Sequence, residues 1–378
     1  MRVRHCGRLS FAIFLVALAA IQGQAQSGRM REKPAAPQAQ SDKDTVRLRA
    51  EEVLLPVSVR SDTGKLAPRL ASADFIVTED NKRQQITSVM RTPANVLLIL
   101  DTSGEVSTRK NINTNRDLAY KLIESLADGD QAAVITYGDK VELLSSWTTD
   151  KTALRQALEW KFKPGLKSHL YDSLLYAADE ILPKVTGRRS VVLLTDGVDS
   201  FVNGGYAATL QAMHRARATV YVFNHASVLI RELRSRVFNP LAFWEMLDPA
   251  VRKRYLILRQ YVREMEAGEV NLRGLAEETG GAVWNPDNRI ECAKTARNGA
   301  EFAKPFDPDG KTDCEMIRKQ IVSEIGTEYV VAYSSERKAD DSTFHPIRVY
   351  TIRTDLKVRV RRGIYPGTPP KPKSEPGH

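Results

Sequence analysis

The sequence predicts a doubly wound α/β fold with a mostly parallel sheet, joined to a smaller β-rich part drawn from both ends of the chain. Three observations predict it. Between residues 95 and 226, short apolar runs alternate with helical patterns, the rhythm of a parallel sheet covered by helices on both faces. Segments 45–92 and 327–363 flank that region, and both read as successions of strands. Neither flank is long enough to bury a core alone, so the two are expected to pair into one discontinuous β sandwich.

The chain opens with Arg2, Arg4 and Arg8, then the apolar run "FAIFLVALAAI", then "GQAQ" with small Gly23 and Ala25. This is the pattern of a cleavable signal peptide over 1–25. The run is shorter than the ~20 residues a spanning helix needs, and no later segment is apolar enough to cross a bilayer. The mature chain is therefore expected to be secreted or periplasmic, with no transmembrane segment. Loss of those three arginines lowers the formal charge from +10 to +7. A basic exported chain meets anionic envelope surfaces first. Without a recognised nucleic-acid motif, the charge does not argue for DNA or RNA. Cys6 leaves with the signal, so Cys292 and Cys314 remain. In an oxidising compartment they read as a disulfide worth ~3 kcal/mol on the chain-entropy model, the alternative being two buried thiols.

Residues 26–44 are polar and proline-bearing and read as a disordered linker, and 364–378 as a proline-rich tail. "VLLPVSVR" is a strand, and "DFIVTEDNKRQQITSV" reads as two runs folded around Asp80-Asn81. The α/β part is expected over 93–326. "NVLLIL" is a fully buried strand, and "RDLAYKLIESL" is a helix with Leu118, Leu122 and Leu126 on one face. Strand "QAAVITYG", helices "KTALRQALEWKF" and "LYDSLLYAADEIL", strand "SVVLLTDG", helix "YAATLQAMHRAR" and strand "TVYVFN" follow. The rhythm breaks at 227–268, an arginine-rich insert carrying Phe238, Phe243, Trp244, Leu247, Tyr255, Ile257 and Tyr261. It reads either as a helical hairpin packed on the domain edge or as a partner-binding lid. In the second reading Arg252, Lys253, Arg254, Arg259 and Arg263 form a basic face. "NLRGLAEETGGAVW" resumes the order as helix and strand, and "CEMIRKQIVSEIG" is the last helix. "TEYVVAYSS", "HPIRVYTI" and "KVRVRRG" close the chain as strands.

Ligands of an open parallel sheet sit at the carboxyl ends of its strands. Two strands here end alike: "LLIL" runs into Asp101-Thr102-Ser103-Gly104-Glu105, and "VVLL" into Thr195-Asp196-Gly197. Between them, "PGLKSHLYDSL" places Ser168 at a helix start. Asp101, Ser103, Glu105, Ser168, Thr195 and Asp196 offer hard oxygens without His or Cys, a set that selects Mg²⁺, Mn²⁺ or Ca²⁺ over Zn²⁺. The alternative is that the two aspartates merely cap the backbone that follows them.

At these residues the chain resembles a von Willebrand factor type A domain, a Rossmann-like fold. Asp101-x-Ser103-x-Glu105 stands where that family has Asp-x-Ser-x-Ser, Ser168 where it usually has threonine, and Asp196 matches its second aspartate. The flanking strands and the ending "TGG…EYVVAYSS…RRG.YPG" look like an exported bacterial subgroup best known from acidobacteria. The resemblance implies a metal-ion-dependent adhesion site, in which a cation takes its last ligand from a partner's acidic side chain. It therefore implies a non-catalytic module that binds a protein or cell-envelope ligand. Glu105 departs from the family by putting a carboxylate where a neutral hydroxyl is usual. The chain has no Gly-x-Ser-x-Gly nucleophile elbow. A metal-assisted hydrolase on the same rim and a structural envelope-assembly component are the rival readings.

Overall fold

A computed structural model describes residues 51–61, 65, 67, 69–103, 109–200, 205–226, 230, 233–234, 248–285, 314–335, 337 and 341–365. The signal peptide, the linker, Glu105, Cys292 and the tail from 366 on lie outside them, so the proposed Cys292–Cys314 bridge does too. Ile364, expected in the disordered tail, is instead buried in a short strand.

The strands of the central sheet are β5 (Ala94–Asp101), β6 (Gln131–Tyr137), β7 (Val141–Thr148), β8 (Arg188–Thr195), β9 (Ala218–Asn224) and β10 (Val283–Trp284). They lie in the order β10-β9-β8-β5-β6-β7. All pairings are parallel except β6–β7. Every residue of β5 is buried, because alternate side chains enter two different cores. On one face Leu98, Leu100 and Val134 meet α1 (Arg109–Glu124), α2 (Lys151–Lys161) and α6 (Cys314–Thr327). On the other, Leu97, Ile99 and Leu193 meet α3 (Leu170–Tyr176), α4 (Tyr206–Arg215) and α5 (Pro249–Thr279). The mixed α/β class and the mostly parallel sheet are as the sequence predicts.

Three elements depart from the sequence reading. The antiparallel edge strand β7 is absent from that reading; its alternation is blurred by two register shifts against β6. The helix from Leu170 changes to a π turn at Ala177–Ile181 and a 3₁₀ turn at Leu182–Lys184. The carboxyl-terminal part of the insert and the helix expected after it are one continuous 31-residue helix, α5. Asp248 caps α5 by accepting from the Ala250 N–H at 2.7 Å, Pro249 occupies its first turn, and Gly280 ends it at φ 83°.

The flanking segments supply eight further strands. From the amino-terminal side come β1 (Glu51–Ser61), β2 (Phe75–Glu79), β3 (Lys82–Gln84) and β4 (Ile86–Met90). From the carboxyl-terminal side come β11 (Tyr329–Ser335), β12 (His345–Thr351), β13 (Leu356–Val360) and β14 (Gly363–Ile364). They build two four-stranded antiparallel sheets, β13-β1-β11-β4 and β14-β12-β2-β3. Strands of both origins share one core, in which Leu55, Val57 and Val77 pack with Val331, Tyr333 and Ile347. The β2–β3 turn is the two-residue Asp80-Asn81, both with left-handed φ (49° and 63°), as tight hairpins require. The run after it splits at Gln85, so that β3 pairs with β2 while β4 crosses to β11.

Buried polar groups tie α6 and the segment after it to both parts. Glu324 accepts from Arg60 Nε at 2.7 Å and pairs with Arg359. Glu328 accepts from Tyr221 at 2.8 Å and lies 3.3 Å from Arg188, whose guanidinium also reaches the Ile325 carbonyl. Burial outweighs both partners and holds Glu328 above the ordinary carboxylate range. Removing one member of such a pair leaves an uncompensated buried charge. Arg188→Met is therefore expected to destabilise the protein by about 3 kcal/mol in chemical denaturation.

Candidate functional site

The site is built at the carboxyl edge of the central sheet, where β5 lies between β6 and β8. Strand register does the first part of the work. Asp101 pairs with Tyr137 of β6, and Leu100 with Leu194 of β8, so Asp101 emerges between Tyr137 and Thr195. The Tyr137 hydroxyl donates to Thr195 Oγ1 at 2.7 Å, spanning the end of β5. Burial raises the Tyr137 pKa far above its ordinary value, which keeps the phenol a neutral donor.

Four loops are then stitched together by their backbones. Thr102 N donates to the Tyr137 carbonyl, and the Thr102 carbonyl accepts from Gly165 N, both at 2.8 Å. Asp139 Oδ1 accepts from Leu166 N and Lys167 N, each at 2.9 Å. The Ser168 carbonyl accepts from Ser200 N at 2.8 Å, and Tyr171 N donates to Asp199 Oδ2 at 2.8 Å. Glycine is needed where the loops touch. A Cβ at Gly138 would stand 2.6 Å from Thr102 Oγ1, and one at Gly165 would stand 2.7 Å from Asp139 N. Chain from 102, 138, 165 and 200 is thereby locked around one rim.

Asp101, Thr195, Asp196 and Ser168 are all buried there. Asp101 Oδ1 accepts from Ser103 N at 2.8 Å and from Ser103 Oγ at 2.5 Å. Among the described residues, its Oδ2 is buried and has no hydrogen-bond partner. Asp196 Oδ1 accepts from Val198 N at 3.1 Å, and its Oδ2 from the Tyr261 hydroxyl at 3.3 Å. The Ser168 hydroxyl donates to the Val198 carbonyl at 2.7 Å, which commits its proton to the main chain and leaves its lone pairs for another partner. Burial first, and then the charge of Asp196, push the Asp101 pKa well up, against the hydrogen bonds from Ser103.

Of the residues singled out in the sequence, Asp101 and Ser103 are joined directly. Asp101 and Asp196 interact electrostatically, and Ser168 reaches the loop that follows Asp196. Glu105 is outside the described residues. His169 Nδ1 lies 2.7 Å from Asp172 Oδ2. Sequence reasoning missed Tyr137, legible only once strand register is known. It named Tyr261 only among the aromatics of the insert; the contact with Asp196 needed α5 to be one continuous helix. Gly268 of the same helix rests on Gly197, where a Cβ would overlap the Gly197 carbonyl oxygen. Among the described residues, no group of three His, Cys, Asp or Glu gathers as a metal cluster; the set here is two carboxylates with hydroxyls. A hard divalent cation fits it, because the orphaned, buried Asp101 oxygen beside a second carboxylate calls for positive charge.

Residues 95–243 match the family model of the von Willebrand factor type A domain. A search of curated protein sequences found no match. Solved structures share parts of the fold. A von Willebrand factor type A protein from Catenulispora acidiphila is 13% identical over 66% of this chain and 50% of its own, at TM-score 0.39. Proximal thread matrix protein 1 from the mussel byssus is 17% identical over 36% of this chain and 37% of its own, at TM-score 0.33. The von Willebrand domain of the type V pili tip protein Mfa5 from Porphyromonas gingivalis is 21% identical over 29% and 40%, at TM-score 0.25. This chain thus spans half or less of the length of each.

The charge pair sets a pH dependence. Asp101 has a folded pKa above its unfolded value, so folding favours its protonated form. That contribution is complete below the unfolded pKa and is lost as pH rises through the folded one. Asp101→Asn is therefore expected to raise the melting temperature of the chelator-treated protein at about pH 7, and the gain should vanish toward about pH 4. Thermal scans at several pH values check it.

Proposed function

We propose that this chain, which carries a von Willebrand factor type A domain over residues 95–243, is an exported, non-catalytic binding module for a protein or cell-envelope ligand. A divalent cation, Mg²⁺, Mn²⁺ or Ca²⁺, would be held by Asp101, Ser103, Ser168 and Asp196, with Glu105 beside it. The observation that carries this reading is the Asp101 Oδ2, buried next to Asp196 and without a hydrogen-bond partner among the described residues. When bound, the cation supplies an electrophilic centre open to a ligand carboxylate. The protein's own groups do the rest. Ser103 orients Asp101, the Val198 carbonyl turns the Ser168 proton aside, and Tyr261 holds Asp196.

Support for export comes from residues 1–25. Among the described residues, no helix is long and apolar enough to cross a membrane. Support for a binding role over hydrolysis comes from the hydroxyls. The Ser168 hydroxyl donates to the Val198 carbonyl, so its proton is held by the main chain and not by a general base. Substrate turnover that requires Asp101 would favour the metal-assisted hydrolase instead.

Glu105 sets the character of the site in this reading. Its carboxylate acts as an internal substitute for the partner's acid, neutralising the cation's pull. Calorimetric titration of Mg²⁺ and Mn²⁺ is expected to show binding by the wild type and none by Asp101→Ala. Ser168→Ala should bind about tenfold more weakly. Glu105→Ser should leave cation affinity the same or lower while strengthening cation-dependent capture of an acidic ligand. If Glu105→Ser loses ligand together with metal, Glu105 is a supporting ligand and not a competitor.

A further inference from the structure

The loop that delivers Ser168 to the rim is fixed residue by residue. Gly165 N donates to the Thr102 carbonyl at 2.8 Å, Leu166 N and Lys167 N to Asp139 Oδ1 at 2.9 Å each, and Ser168 N to Ser200 Oγ at 3.0 Å. Four successive backbone donors are thus satisfied by three different parts of the chain. The N–H groups of Lys167 and Leu166 hold the Asp139 carboxyl below its usual range, and hydrogen bonds to an ionised acceptor are the stronger kind.

On this fixed loop Leu166 leaves its side chain in water. It is 73% exposed, more than any other large apolar side chain among the described residues, while Gly165 before it and Ser168 after it are buried. A single exposed leucine is ordinary on a protein surface. This one differs in two respects. A mobile loop must give up backbone freedom to use its leucine in a contact, and here the backbone is already held. Its Cα also lies no more than about 7 Å from that of Ser168, the reach of two residues of extended chain. In a ligand chain, the residues one and two positions from an acid stand at a similar remove from it.

We propose that Leu166 is a specificity-determining contact for the ligand of the cation site, selecting a polypeptide acid that has an aliphatic side chain next to it. This rests on the cation site proposed above and narrows its ligand from any acid to an acid with an apolar neighbour. Chemistry separates such a ligand from other anionic partners. An acidic polysaccharide supplies carboxylates but no aliphatic side chain to cover Leu166. An anionic bilayer supplies apolar chains only beneath its headgroups, and even a whole myristoyl chain inserted there gives marginal binding. One leucine side chain is far smaller. Against a polypeptide, the same leucine has only to add to a metal–carboxylate contact, and covering it changes affinity about tenfold.

The test uses the full mature chain with Mg²⁺ or with chelator. The probes are a fluorescent peptide with one Glu between two leucines, a counterpart with serines for the leucines, a counterpart with Gln for the Glu, and phosphatidylglycerol vesicles. With Mg²⁺ the wild type is expected to bind the Glu–Leu peptide about tenfold more tightly than the Glu–Ser peptide, and to ignore the Gln peptide. Glu105→Ser should capture both Glu peptides more strongly with the same preference. Leu166→Ser should bind both at the weaker level while its Mg²⁺ affinity in calorimetry stays unchanged, because the loop is held by main-chain bonds. Equal binding of the two Glu peptides by wild type, or a preference that survives in Leu166→Ser, would overturn the proposal and leave the cation site standing. Mg²⁺ binding without capture of either Glu peptide, in wild type and Glu105→Ser alike, would overturn it too. Capture of vesicles with no peptide preference would assign Leu166 to anionic lipid and do the same. Capture of the Gln peptide as tightly as its Glu counterpart, or no Mg²⁺ binding at all, would sink the cation reading and this inference together.

Discussion

Two carboxylates share a buried rim, and much of the structure around them serves to hold them there. Asp101 and Asp196 leave adjacent parallel strands, so the spacing of the sheet places them near each other whatever their mutual repulsion. Burial removes the water that would screen them. The surroundings answer with donors: Ser103 for Asp101, Val198 and Tyr261 for Asp196. Among the described residues, one oxygen of Asp101 is still left without a partner. Residual negative charge in a rigid, preorganised cradle is the arrangement a cation site needs, and its cost to the ion-free fold is the reason such an arrangement is rarely incidental.

The cradle is rigid because backbone, not side chain, joins its loops. Gly138 and Gly165 let chain segments approach closer than any Cβ would allow, and Gly268 does the same where α5 meets Gly197. The rim is thereby coupled to a long helix whose far half extends away from the core.

The β sandwich stands at the other end of the α/β part's connectivity. It uses strands from both sides of the sheet domain, so it cannot complete its core until the intervening chain has brought β11 beside β1 and β4. Glu324 and Glu328, on and just after α6, bind arginines from both parts: Arg60 and Arg359 from the sandwich, Arg188 from the central sheet. Buried charge of this kind adds little net stability over apolar packing, but it strongly disfavours any arrangement that leaves one member alone.

The sequence by itself determined the fold class, because hydrophobic period is local: fully buried runs such as "NVLLIL" and the leucine stripe of α1 need no knowledge of their neighbours. It also singled out Asp101, Ser103, Glu105, Thr195 and Asp196, since hydroxyls and acids directly after buried strands stand out against their apolar context, and Ser168 at a helix start after a Pro-Gly loop. The tertiary structure alone decided the rest. Strand register put Tyr137 across the end of β5. Continuity of α5 brought Tyr261 to Asp196, where the sequence alone reads as a separate insert. The edge strand β7 and the crossing at Gln85 were illegible, because a bulged strand loses its alternation and a strand can change sheets without a turn signal. These features rest on pairings between residues far apart in the chain, and a pattern read along the chain carries local period but not the identity of distant partners.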